Sequence, residues 1–356
     1  MFEDFIGVKP VSERQQFDLQ ALWQYLRSQL AWLPPALPQL SQFKGGQSNP
    51  TFFLDCGEQR FVLRTKPGPA AKLLPSAHAI EREYRVMDAL SRNGFPAPRQ
   101  FLVCQDESII GRAFYLMEYI EGRVLWDQSL PGMSQAERAA HYDEMNCIIA
   151  ALHQFDYAAA GLADYGKPGN YFARQIERWS KQYRAAETEH IAAMEELIVW
   201  LPQHIPAGDD CSIVHGDFRM DNLIFHPTEP RVLAVLDWEL STLGHPLADF
   251  SYHAMSWNIP PGQFRGIGGL DHAALGIPSQ EAYIARYCER TGRAIRREDF
   301  DFYLAYNMFR LAGILQGIMK RYVDGTAASA HALETGRAAR SLAELALRHA
   351  HAAAGN

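Results

Sequence analysis

Apolar residues at positions 17, 22, 25, 26 and 30 recur at helical spacing, which predicts an amphipathic helix from Phe17 to Leu30, stopped by Pro34, Pro35 and Pro38. The period then shortens. Phe43 to Leu54 reads as strand, tight loop and strand, and Gly57 turns the chain into a further strand from Phe61 to Lys66, an antiparallel meander. Ser76 is placed to cap a helix running to about Arg92, with Ile80, Tyr84, Met87 and Leu90 on one face and Gly94 and Pro96 ending it. Two more strands are expected around 101–104 and 113–119. Beyond Gly122 the pattern turns helical over 134–154, 171–200, 279–291, 298–321 and 327–350. These elements predict an α+β chain of two parts: a small antiparallel β-sheet N-lobe with one helix over residues 1–118, and a large, mainly α-helical C-lobe over 119–356. A ligand site is expected by default in the cleft between them.

Short strands return where acidic residues cluster. Residues 213–225 read Ile-Val-His-Gly-Asp-Phe-Arg-Met-Asp-Asn-Leu-Ile-Phe, and Val-Leu-Asp-Trp-Glu follows at 235–239. Apolar β-formers bracket Asp217, Asn222 and Asp237, which puts each at a strand end rather than on a solvated helix. Phosphoryl transfer needs an aligned, deprotonated hydroxyl and a divalent cation across the phosphates. Asp217 suits the first task. Asn222 and Asp237 are hard oxygen ligands of the kind Mg²⁺ takes alongside substrate phosphates. The order His-x-Asp, Asn five residues on, and Asp after a strand is that of a kinase catalytic loop.

Composition narrows the class. With 47% hydrophobic and 21% charged residues the chain is of ordinary globular type. The acidic start lacks the basic region of a signal peptide, and no apolar run approaches the ~18 residues of a membrane span. Five scattered cysteines without a Cys-x-x-Cys pair indicate neither a disulfide frame nor a zinc cage, so a reducing cytoplasm is expected. The net charge of −7 argues against a nucleic-acid partner. An Ala-rich tail from Thr326 to Ala354 should be helical, with His331, His349 and His351 solvated.

His215-Gly-Asp-Phe-Arg-Met-Asp-Asn222 and Leu236-Asp-Trp-Glu-Leu-Ser-Thr-Leu-Gly-His-Pro-Leu-Ala-Asp249 carry a nameable likeness, supported by Gly45-Gly-Gln-Ser-Asn, Val62-Leu-Arg and Met117-Glu-Tyr-Ile-Glu-Gly122. From Phe43 to about Arg321 the chain resembles the aminoglycoside phosphotransferase family of protein-kinase-like fold. It most resembles the branch that includes the kinase-like domains of acyl-CoA dehydrogenase family members ten and eleven. The resemblance implies ATP as co-substrate with Mg²⁺, bound at a hinge over Met117 to Ile120 where backbone groups of Glu118 and Ile120 meet adenine. Gly45 and Gly46 would let the backbone approach phosphates, as no Cβ intervenes. Arg64 stands where protein kinases place Lys on the third strand. Strand alternation gives Arg64 and Lys66 the same face, and Glu83 is the matching helix carboxylate for Arg64. Gly216 replaces the Arg that reads a phosphorylated activation loop in many protein kinases. Arg219 falls where a basic side chain touches the γ-phosphate. His215 and Asp249 look like scaffold, and His245 stands where this branch often has Asp.

The acceptor is the least determined part. Arg286 to Arg297 carries five arginines against one acid, which leans toward an anionic alcohol, such as a hydroxy acid or hydroxyacyl-CoA, over a polycation. An aminoglycoside O-phosphotransferase with the same mechanism and a pseudokinase-like module that holds nucleotide without transfer are the alternatives.

Overall fold

A computed structural model describes residues 6–44, 49–68, 79–326 and 331–355. The chain divides into two compact units, the first comprising Met1–Trp126, Ala158–Tyr165 and Asp221–Leu240, the second Asp127–Tyr157, Gly166–Met220 and Ser241–Asn356.

The first unit is built on an antiparallel six-stranded sheet: β1 (Val8–Lys9), β2 (Gln39–Phe43), β3 (Thr51–Asp55), β4 (Arg60–Thr65), β5 (Gln100–Cys104) and β6 (Phe114–Glu118), in the order β1-β2-β3-β4-β6-β5. Successive side chains of a strand face opposite ways. Phe61 and Leu63 of β4 therefore join Phe52, Leu54, Phe114 and Leu116 in a core covered by Leu22, Trp23 and Leu26 of α1 (Leu19–Gln29). Arg64, one residue out of phase, faces the other way, toward α2 (Ile80–Arg92). Helix α2 starts at Ile80 in the described chain; Ser76, its expected cap, lies outside the described residues. A separate hairpin, β8 (Leu223–Phe225) with β9 (Val232–Val235), completes the unit.

In the second unit β7 (Ser212–Val214) pairs with β10 (Thr242–Gly244), among helices α3 (Gln135–Gln154), α4 (Tyr171–Ala185), α5 (Ala192–Trp200), α6 (Pro246–Ala254), α7 (His272–Leu275), α8 (Gln280–Thr291), α9 (Arg297–Val323), α10 (Ala332–Arg337) and α11 (Ala339–Ala353). Every residue of α6 is buried, as is nearly all of α9 from Phe300 to Gln316, so these two are the central helices. The expected single helix over 171–200 is two. Continuing the face of Phe172, Ile176 and Tyr183 would bury positions 187 and 190, which are Glu187 and His190; both stay exposed and the chain breaks before Ile191 re-enters the core. The tail is likewise split, at Ala338, into α10 and α11. His349 is not solvated as expected: its Nδ1 lies 2.8 Å from Asp301 on α9, docking the last helix. All five cysteines are free thiols. No helix among the described residues is long and apolar enough to cross a membrane.

Two predictions follow from the packing. A Cβ on Gly122 would stand 2.4 Å from both Ile224 Cγ2 and the backbone oxygen of Phe225, so the strand-to-helix segment lies directly on β8. Gly122→Ala should cost about 1–3 kcal/mol as overpacking, measured by urea denaturation. Gly317→Ala, on α9 with only the Arg321 guanidinium 3.8 Å away, should cost nothing. Equal effects would contradict the assigned contact.

The second concerns pH. Burial drives the imidazoles of His253 and His245 down to about 3 and about 4, and lowers that of His153 as well. Below about pH 6.5 the unfolded chain binds protons at these positions that the folded chain refuses. Stability is therefore full above that pH and falls as pH drops, at roughly 1.4 kcal/mol per pH unit for each of His245 and His253 until their folded values are reached. A urea midpoint that is flat between pH 7 and 4.5 would contradict the burial of neutral imidazoles.

Candidate active site

The first unit assembles a charge cluster around one buried guanidinium. Arg64 Nε lies 2.9 Å from Glu83 Oε2, and its Nη2 lies 3.1 Å from Asp237 Oδ1 and 3.7 Å from Glu239 Oε2. Burial alone would depress the Arg64 pKa; Glu83, Tyr115, Asp237 and Glu239 outweigh it and leave the value raised, so the side chain is a fixed cation. Glu83 is pinned on its other sides. Asn49 Nδ2 donates to Oε1 at 2.7 Å and the Tyr115 hydroxyl to Oε2 at 3.0 Å. Burial raises the Glu83 pKa, against the lowering effect of Arg64. The same-face expectation for Lys66 holds, but Lys66 takes a different acid: its Nζ lies 2.5 Å from Glu81. Each cation thus has its own helix carboxylate, and Glu83 is the one that meets Arg64.

Asp237 is held by backbone conformation. It adopts φ +64°, a left-handed geometry uncommon outside glycine and one that aspartate tolerates better than most side chains. Contacts on both sides hold it. Leu236 N–H donates to the carbonyl of Asn222 at 2.8 Å, extending the β8/β9 hairpin so that Asn222 and Asp237 flank its end. On the other side, Trp238 is buried, donates its Nε1–H to Val235 O at 2.9 Å and packs edge-on against Phe95. The Asp237 side chain is 37% exposed and gives Oδ1 to Arg64; its second oxygen has no partner among the described residues. Three carboxylates facing one guanidinium leave surplus negative charge, and a hard divalent cation fits such a donor set. Asn222, buried beside it, is the second candidate ligand.

At the edge of the same unit, Glu118 closes β6. Its N–H donates to Arg99 O at 2.9 Å. Ile120 follows two residues beyond the strand. Gly45 and Gly46 lie outside the described residues.

The second unit holds the loop from His215 to Met220, which carries the candidate base Asp217. Buried Asp249 on α6 accepts the backbone N–H groups of His215 and Gly216 at 2.7 and 2.8 Å. His153 lies 3.3 Å away through Nε2, its Nδ1 meeting the Tyr287 hydroxyl at 2.7 Å. Burial would raise the Asp249 pKa, yet the hydrogen bonds from His153 and the His215 backbone hold it low, so an ionised carboxylate anchors the loop. Gly216 has φ +83°, the bend that presents Asp217. Asp217 Oδ2 meets Arg219 Nη2 at 3.0 Å, and Oδ1 accepts the Tyr252 hydroxyl at 2.7 Å. His215 supports the same loop by accepting the Asp217 N–H at 3.2 Å, consistent with a scaffold role. His245 caps α6, accepting the Leu247 N–H at 3.2 Å, which is a role its expected Asp would also fill.

Sequence reasoning missed Tyr252, Arg310, Asn49 and Tyr115. Only Asn49 carried a signal, as the last residue of a quoted motif. The arginine-rich stretch needs a correction. Arg286 pairs with Glu289, Arg290 with Asp143, Arg293 with Asp210 and Arg296 with Asp299, at 3.1, 2.8, 3.3 and 2.7 Å. Four of the five expected positive charges are neutralised locally, so the segment is not an open anion site.

Residues 39–303 match the model of the Phosphotransferase enzyme family (APH). Acyl-CoA dehydrogenase family member 10 of Mus musculus is 46% identical over 342 residues, which is 96% of this chain but 32% of that protein, so the chain spans about a third of the length of that relative. A crystal structure from Ralstonia eutropha, provisionally named an aminoglycoside phosphotransferase, is 61% identical, covers 95% of this chain and 99% of its own, and superposes with a TM-score of 0.87. A thermostable mutant of aminoglycoside phosphotransferase APH(4)-Ia, in ternary complex with AMP-PNP and hygromycin B, shares the fold at 16% identity, covering 92% and 98% of the two chains with a TM-score of 0.58. The six-stranded antiparallel sheet, the helical unit and these matches agree on a protein-kinase-like α+β fold, and the chain belongs to the APH phosphotransferase enzyme family.

Proposed function

We propose that the chain moves the γ-phosphate of Mg-ATP to a hydroxyl of a small molecule. The observation that carries this reading is the buried Arg64 shared between Glu83 and Asp237, an arrangement that would hold a cation for the phosphates beside a carboxylate for the metal. In this reading residues 1–118 bind the nucleotide, with Gly45, Gly46, Arg64, Glu83, Glu118 and Ile120 around it. Residues 119–356 supply the catalytic loop, the metal ligands and the acceptor site. Asn222 and Asp237 would hold Mg²⁺, which when bound neutralises charge on the transferring phosphates.

The chain's own residues then have separable tasks. Asp217 takes the proton of the acceptor hydroxyl as its oxygen bonds to the γ-phosphorus and the bond to ADP breaks. Arg219, beside Asp217, offsets charge on the transferring group. The preferred acceptor is a hydroxy acid or hydroxyacyl-CoA. That preference no longer rests on the 286–297 arginines. It is supported by the name of the mouse relative, an acyl-CoA dehydrogenase family member. A module that only holds nucleotide would have no use for a carboxylate as firmly aimed as Asp217. A cytoplasmic setting is part of the same proposal.

Asp217→Asn should lower turnover about 10²–10⁴-fold, the usual value of general-base assistance, and leave nucleotide affinity unchanged. The assay is ATP consumption in the presence of hydroxy acids, hydroxyacyl-CoAs and aminoglycosides. Turnover within about twofold of the unmodified chain would remove Asp217 from the base role, and efficient phosphorylation of aminoglycosides alone would favour the resistance-enzyme alternative.

A further inference from the structure

We propose that Tyr252 is a positioning residue for phosphoryl transfer: its hydroxyl holds the Asp217 carboxylate in one orientation, and Arg310 in turn holds the Tyr252 ring. The inference rests on the reading of Asp217 as the base.

The geometry is specific. Tyr252 lies on α6, three residues after Asp249, so one buried helix carries both the acid that fixes the loop backbone and the hydroxyl that fixes the loop's reactive side chain. Only 8% of Tyr252 is exposed, and its hydroxyl donates to Asp217 Oδ1 at 2.7 Å. Burial first, then the Asp217 charge, keeps that hydroxyl protonated far above its ordinary range, so it serves as a donor throughout the working pH of an enzyme. Arg310, buried on α9, sits 5.1 Å from the Tyr252 ring centre and 5.5 Å from that of Trp179, a cation stacked on aromatic faces. Its Nη2 donates to the carbonyl of Gly216 at 2.9 Å, one residue before the base. Two central helices therefore converge on Asp217 from behind, one through a hydroxyl and one through the ring and the backbone.

A carboxylate offers roughly four lone-pair sites. Tyr252 engages one oxygen and Arg219 the other, which restrains rotation of the carboxylate. Such restraint matters because misplacing a reacting group by a small distance costs rate far more than it costs binding. A tyrosine present only to fill space would need neither the hydroxyl nor the short contact.

Tyr252→Phe keeps the ring, and with it the stacking of Arg310, while removing only the hydroxyl. Loss of a charge-assisted hydrogen bond should lower kcat about tenfold and the melting temperature modestly, with KM for Mg-ATP unchanged. A second readout does not depend on turnover. In protein labelled with ¹³C at aspartate carboxyls, the Asp217 resonance, identified by its loss in Asp217→Asn, should move in Tyr252→Phe. An unmoved resonance, or an unchanged kcat in an active enzyme, overturns the proposal. If the unmodified chain transfers phosphate to no acceptor while the resonance moves, the phosphotransfer reading fails and the Tyr252 contact stands.

Discussion

The ion pair between Arg64 and Glu83 is the constraint on which the first unit's chemistry depends. A buried guanidinium is tolerated only if it is paired, and removing one partner of such a pair costs about 3–5 kcal/mol because the other is left uncompensated. The sheet meets this cost by geometry. Strand alternation turns Arg64 away from the apolar core of Phe61 and Leu63 and toward α2, where Glu83 awaits it between Asn49 and Tyr115. With Glu83 saturated, the remaining face of the guanidinium goes to Asp237 and Glu239. Asp237 is thereby fixed by charge as well as by its left-handed backbone, and the surplus carboxylate charge is what a bound divalent cation would relieve.

The second unit solves a similar problem with a buried acid. Asp249 remains ionised inside the protein because two backbone N–H groups and His153 satisfy it. Those two N–H groups belong to the loop that carries Asp217, so the same bonds that stabilise the acid shape the loop around Gly216. Arg310 closes the arrangement from α9. Stability and positioning are the same interactions here, and they hold Asp217 in place.

Much of this was legible in sequence because the motifs are local. Asp217, Asn222 and Asp237 stand among strand residues at fixed short spacing, and Arg64 and Glu83 could be matched by strand parity and helix phase. What was not legible depends on residues distant in the chain. Tyr252 and Arg310 reach Asp217 and Gly216 across 35 and 94 positions, with no spacing rule to connect them. The arginines at 286–297 looked like an open basic patch because three of their four partners, Asp143, Asp210 and Asp299, lie outside that stretch. Charge counted along a segment is a poor guide to potential once the chain folds. The break at 186–191 was readable in principle, since Glu187 and His190 interrupt the apolar face, but helix length and propensity masked it.

The central claim is that Asp237, placed by Arg64 and by its own backbone, binds metal rather than merely closing an ion pair. Calorimetric titration of AMP-PNP into the chain and into Asp237→Ala, each with Mg²⁺ and with a chelator, tests it most directly. The account predicts that the substitution weakens binding of the Mg²⁺ complex far more than binding of metal-free nucleotide. Equal losses in the two conditions would contradict it.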